Sequence, residues 1–141
     1  MHCIGASITA GFGNAAELGL GRNTELAKFL RAAWADRNGE AKLEGRGSNV
    51  FFQNPQGIGH AQVEKARAAQ PSLVIALDFL FWYGFGLDRP RTPRRAEGLA
   101  QGLKELESLV CPVIIGTLPN VDHALQGICL LYTSPSPRDR G

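Results

Sequence analysis

Histidine is scarce in this sequence, and cysteine is few and scattered. Only His2, His60 and His123 occur. Cys3, Cys111 and Cys129 form no disulfide framework, and no two of them have the spacing of a metal site. An odd, scattered set suits a reducing compartment. No apolar run approaches the ~20 residues that span a bilayer. The start, MHCIGAS, has neither the basic n-region nor the apolar h-region of a secretory signal. A cytoplasmic location is therefore expected, with the start open to trimming because so little chain precedes Gly5. Neither sign of charge is in excess. A formal net charge of +2 gives no electrostatic grip on nucleic acid or an anionic membrane. The one basic cluster, Arg89, Arg91, Arg94 and Arg95, reads as a solvated loop and helix start rather than an anion site. A phosphate-cradling GxxxxGK(S/T) loop is absent, and no cofactor or metal is expected.

What is present suits one α/β domain. The chain of 141 residues can bury one sizeable core, and its 44% hydrophobic and 20% charged content is ordinary for a globular protein. Residues 2–5 read as a short buried strand, followed by a glycine-bearing loop over 6–22. A helix is expected from Asn23 or Thr24, both good N-caps, to Asn38-Gly39. Its apolar face is Leu26, Phe29, Leu30, Ala33 and Trp34. KLEG and NVFFQ, within 41–53, each read as possible strand, and NPQG at 54–57 as a turn. A helix over 58–69 leads to Pro71. LVIAL, Leu73 to Leu77, reads as a strand buried on both faces, the mark of a parallel sheet. A further helix over 94–110 carries Ala96, Leu99, Leu103, Leu106 and Val110 on one face. VIIG at 113–116 is another buried strand. The alternation β-α-β-α-β-α-β predicts an open parallel sheet with helices on both sides.

The tail does not fit this pattern. CLLYTSPSPRD, Cys129 to Asp139, has no periodicity and carries Pro135 and Pro137. Over these eleven consecutive residues it resembles the forward translation of a transposase-type sequencing-library adapter. The expected division is a domain over 1–128, cut short at its C-terminus, and a non-native, disordered tail over 129–141. Setting the tail aside removes Cys129 and lowers the net charge by one. A sheet stopped there lacks its last helix, which leaves an exposed strand edge and an uncovered face.

Function in open α/β sheets gathers at the carboxyl ends of the strands. Ser7 follows the first strand, Asp78 closes LVIAL, and Asn120, Asp122 and His123 follow VIIGT. All can face one edge. A serine becomes a useful nucleophile only with a base for its proton and donors for the oxyanion.

The stretch IGASITAG resembles the first block of the SGNH (GDSL-type) serine hydrolases, whose pattern is GDSxxxG. Gly5, Ser7 and Gly11 match at the right spacing, while Ala6 stands where the family has aspartate. The resemblance covers roughly residues 2–128, with only this block specific. It implies a flavodoxin-like three-layer α/β/α fold and a hydrolase for small-molecule or lipid-like esters, with Ser7 as nucleophile. It also implies a histidine base from a late DxxH block. The oxyanion donors would be the serine N–H, a second-block glycine and an asparagine of a GxND block. The other blocks fit less well. Asp78 stands at the third-block glycine and Leu80 at its asparagine, and leucine donates no hydrogen bond. The second-block glycine is Gly47 or is absent, the spacing from LVIAL placing that slot nearer Phe51 or Phe52. No DxxH occurs, so this 141-residue chain is expected to be inactive.

Plainer readings compete at each position. Ser7 could cap loop N–H groups. Asp78 reads more readily as a cap or loop anchor than as a substitute donor, and Asp122-His123 reads as plain loop. His2 and His60 have no evident partners. Phe79, Phe81, Trp82, Tyr83 and Phe85 could line an acyl pocket or anchor the core. Two other function classes stand beside the hydrolase. One is a non-catalytic binding protein on the same fold, favoured by apolar Ala6 and Leu80. The other is a dinucleotide-binding domain, since GFGNAA, Gly11 to Ala16, spells GxGxxA. Gly19 and Gly21 interrupt the helix that this fingerprint requires.

Overall fold

The computed structural model describes residues 1–11, 25–38, 42–85 and 92–118. Four strands, β1 (His2–Gly5), β2 (Glu44–Gly47), β3 (Val74–Ala76) and β4 (Val113–Ile115), form one sheet in the order β2-β1-β3-β4. All three pairings are parallel. The helices are α1 (Ser7–Ala10), α2 (Leu26–Asn38), α3 (Pro55–Ala69), α4 (Phe81–Phe85) and α5 (Thr92–Glu107). The expected α/β class and open parallel sheet are present. Among the described residues no helix is long and apolar enough to cross a membrane.

Strand alternation sorts the core into two layers. Ile4, Val74 and Ala76 face one side, where they pack with Val63 and Ala66 of α3, Tyr83 of α4, and Leu106 of α5. Cys3 and Ile75 face the other side and meet Ala27 of α2 and Leu43. Backbone bonds beyond the ladder tie the strand starts together. The Met1 ammonium donates to the Lys42 carbonyl at 2.9 Å. The His2 N–H donates to the Leu73 carbonyl at 2.9 Å, and the Val74 N–H to that of Pro112 at 3.0 Å.

Several local expectations need correction. The first turn of the presumed loop after β1 is helical, forming α1. NVFFQ is not a strand: Phe51–Gln53 form a 3-10 turn that seats fully buried Phe51 in the core. NPQG is the start of α3, not a free turn. The Asn54 side chain accepts from the Gly57 N–H at 2.9 Å and Pro55 takes the first helical position, where its missing N–H costs nothing. His60 does have a partner, the Glu105 carboxylate of α5 at 3.0 Å.

The two long amphipathic helices follow the expected faces only in part. Leu106 is buried, and Leu99, Leu26 and Leu30 pack against the core clusters as expected, while other positions differ. In α5 the buried positions are Gly98, Gly102 and Leu106, followed by Leu109, whereas Ala96, Leu103 and Val110 are exposed. In α2, Ala27 is buried, while Phe29, Ala33 and Trp34 are exposed. The cause is close approach through small residues. A Cβ on Gly102 would lie 2.7 Å from Leu80 Cδ2 and 2.9 Å from Tyr83 Cγ. A Cβ on Gly45 would lie 2.6 Å from that of Ala27. VIIG is also less buried than expected. Ile114 is 49% exposed, on the face where α2 contributes its cover over β1 and β2. The expected start of α2 at Asn23 or Thr24, and Gly39 at its end, lie outside the described residues. Of the basic cluster, Arg94 is exposed and Arg95 lies over the Phe85 ring at 4.8 Å. Arg89 and Arg91 lie outside.

Gly102→Ala separates helix propensity from packing. Alanine favours a helix interior by about 1 kcal/mol, but overpacking a filled core costs about 1–3 kcal/mol. Tyr83 is fully buried and cannot swing away. A lower urea midpoint at unchanged slope is the expected result, with Leu103→Ala as the nearly neutral control.

His2 yields a pH prediction. Its side chain is buried with Nε2 unpartnered, and burial pushes its pKa below the ordinary histidine value of 6.5. The folded form holds it neutral, while the unfolded chain takes up a proton near pH 6.5. Its contribution to stability is therefore full above that pH and is lost as pH falls toward the lowered folded value. Urea melts from pH 8 to 5 should show His2→Leu flattening this part of the loss.

Candidate functional site

The order of strands turns back between β1 and β3, and the crevice beyond their carboxyl ends is where such sheets bind ligands. A pocket of about 260 Å³ lies there, lined by Ser7 and Ile8 after β1 and by Leu77, Asp78, Phe81 and Trp82 after β3. Thr117 and Leu118 line it after β4. Ser7 is half-buried at the first position of α1.

The turn that carries Ser7 is held from β3. Asp78 is buried, and both its oxygens accept. Oδ1 takes the Ala6 N–H at 2.9 Å and the Thr9 hydroxyl at 2.6 Å. Oδ2 takes the Ile8 N–H at 2.7 Å and the Thr9 N–H at 3.3 Å. A carboxylate has about four acceptor sites, and these four bonds fill them. The Ser7 N–H is passed over. Neither it nor the Ser7 hydroxyl bonds to another described residue.

A second clamp comes from α3. The Gln62 amide donates to the Gly5 carbonyl and accepts from the Gly5 N–H, both at 2.9 Å. Gly5 sits at φ +153°, and a Cβ there would collide with the Asp78 carboxylate and the Thr9 hydroxyl. Only glycine fits this corner, so strand β1 can hand the chain to α1 directly under Asp78.

The expected site residues divide accordingly. Ser7 and Asp78 share the pocket. Asp78 is an anchor, as its plainer reading had it, but of the turn before it in sequence rather than the one after. Gly47 pairs with Gly5 and lies against the backbone of α1, a Cβ there coming within 2.5 Å of Ala10 Cα. It admits α1 to the sheet and does not line the pocket. Leu80 packs in the core, so the third-block asparagine position is turned away from Ser7. Phe51 is in the core, and Phe52 rests 5.7 Å from Trp82 between ring centres. Of the aromatics, Phe81 and Trp82 line the pocket, and Phe79 and Tyr83 are fully buried in the core. Asn120, Asp122, His123 and all of GFGNAA beyond Gly11 lie outside the described residues. Neither His2 nor His60 lines the pocket.

Sequence reasoning missed Gln62 and Thr117. Gln62 had a signal: it is the one polar residue in the buried α3 stripe Gly59, Gln62, Val63, Ala66. Thr117 had only its place just past β4. Among the described residues, no cluster of three or more His, Cys, Asp or Glu side chains could hold a metal ion. Cys3 and Cys111 are free thiols. Comparison with family models, with curated proteins and with solved structures finds no match.

Asp78→Ala strips acceptors from three N–H groups and a hydroxyl. At about 1–3 kcal/mol for each buried group left unpaired, the expected loss is at least ~3 kcal/mol in a urea melt. Thr9→Val, which removes one of these bonds, should cost about 1.5–3 kcal/mol.

Proposed function

We propose that this chain is a divergent serine hydrolase domain of the SGNH (GDSL) type, with Ser7 as nucleophile toward an uncharged ester. The observation that carries the reading is the state of Ser7. It lines the pocket at the carboxyl end of β1, and its own N–H is left out of the Asp78 clamp. In an acyl transfer the hydroxyl attacks the ester carbonyl and gives its proton to a base. The Ser7 N–H can then donate to the oxygen that becomes negative, a contribution that is large when the donor is fixed in advance. The strand order β2-β1-β3-β4 agrees with the first four strands of a flavodoxin-like sheet.

The departures from the GDSxxxG pattern also support the reading. That pattern has a carboxylate before the serine, where this chain has Ala6. The chain instead carries a carboxylate at Asp78, where the third block has glycine. Asp78 reaches the Ala6–Thr9 turn, so the loss at one position is matched by the gain at the other. Gly47 does not add to this support, because it packs against the backbone of α1 and does not line the pocket.

The base is the missing part. No DxxH occurs in the 141 residues, and Asp78 has no free acceptor site. This favours a second reading, a binding protein on the same fold. A fluorophosphonate probe and a short-chain nitrophenyl ester decide between them. The 141-residue chain should leave the ester intact. The protein encoded by an intact template read past codon 128 should be labelled on Ser7, and Ser7→Ala should abolish both labelling and hydrolysis. A chain that stays unlabelled and still folds leaves the binding reading.

A further inference from the structure

The chemistry of the pocket walls narrows what can occupy it. Ile8, Leu77, Phe81, Trp82 and Leu118 supply apolar surface, and the polar groups are Ser7, Asp78 and Thr117. No lysine, arginine or histidine is among the described lining residues. Asp78 is the one ionisable side chain among the described lining residues, and its four acceptor sites already hold Ala6, Ile8 and two groups of Thr9. It cannot accept from a ligand, but its charge still repels an anion. A carboxylate or phosphate entering here would lose its water, meet no counter-charge from the described lining residues and face a negative neighbour. An uncharged carbonyl meets two unused donors, the N–H and the hydroxyl of Ser7.

Size sets a second limit. At roughly 30 Å³ per non-hydrogen atom, the share of a molecule in liquid water, 260 Å³ holds about eight or nine such atoms. We infer that the pocket takes an uncharged medium-length acyl group, of about seven or eight carbons, with its carbonyl at Ser7 and its chain against Phe81 and Trp82. This rests on the Ser7 reading only for which end of the ligand faces the hydroxyl.

The test needs no catalysis. The chain has two tryptophans, and Trp34→Phe on exposed α2 leaves Trp82 in the pocket wall as the only reporter. Methyl ketones of four, eight and twelve carbons serve as uncharged probes that cannot be hydrolysed, with octanoate as the charged control. Fluorescence titration should show affinity rising at least about tenfold from 2-butanone to 2-octanone, as burial of successive CH₂ groups requires. It should gain less than about threefold more with 2-dodecanone, since the pocket is then full. Octanoate should bind at least about tenfold more weakly than 2-octanone. Ile8→Gln, at a position 51% exposed and so compatible with folding, should weaken 2-octanone. Leu118→Gln should do the same.

Octanoate binding as tightly as 2-octanone overturns the inference. So does affinity that keeps climbing with chain length, or a 2-octanone titration with no saturation in a folded chain. Ketone binding without fluorophosphonate labelling of the longer protein leaves the pocket standing and removes the catalytic reading. Labelling of Ser7 without the length and charge preferences does the reverse.

Discussion

The Asp78 carboxylate is the interaction on which the rest of the site depends. It joins the end of β3 to the turn after β1, residues separated by about half of the chain. Three backbone N–H groups and one hydroxyl converge on it, and hydrogen bonds to a charged acceptor are about twice as strong as neutral ones. Without it, the sharp exit from Gly5 would leave the first N–H groups of α1 buried and unpaired. With it, Ser7 is held at one place over the β1–β3 crevice. The Gln62 amide does the same for the preceding residue, so the serine is reached through two successive, fixed corners.

This arrangement explains why small residues crowd one end of the sheet. Gly5 leaves room for the carboxylate and Gly47 for the backbone of α1, and Ala6 is buried in the core. A side chain at either glycine would push the turn off its anchor. The opposite sheet face follows the same logic on a larger scale, with Ala27 against Gly45 setting the height of α2. Helices reach this sheet through glycine and alanine, which is why Phe29, Trp34 and Leu103 lie further out than a hydrophobic stripe suggests.

That distinction marks what could be read from the residues alone. The strands around Ile4, Ile75 and Ile114 were legible because they are short apolar runs bounded by glycine or proline. The helix of Val63 and Ala66 was legible from its spacing. The faces of α2 and α5 were legible only in part, at Leu26, Leu30, Leu99 and Leu106, because hydrophobicity scores a leucine above a glycine, although contact between elements can turn on the glycine. Ser7 and Asp78 could each be singled out by their places at strand ends. Their connection could not, because a carboxylate and N–H groups 69 to 72 positions apart leave no local pattern. Gln62 lay between these cases, a polar residue in an apolar stripe whose partner was invisible but whose need for one was not.

A carboxylate beside a serine can orient the backbone or it can take part in proton transfer, and here the first use excludes the second. Every acceptor site of Asp78 is spent on the turn. The other described wall groups are hydrocarbon, indole and hydroxyl, none of which takes a proton near neutral pH. Any base for Ser7 therefore has to be brought to the pocket by residues other than these eight. The same saturation makes the pocket selective without a base, because a filled carboxylate offers nothing to a ligand except its charge. The feature that fixes the position of Ser7 also bears on which ligands can approach it, whether or not Ser7 ever reacts with them.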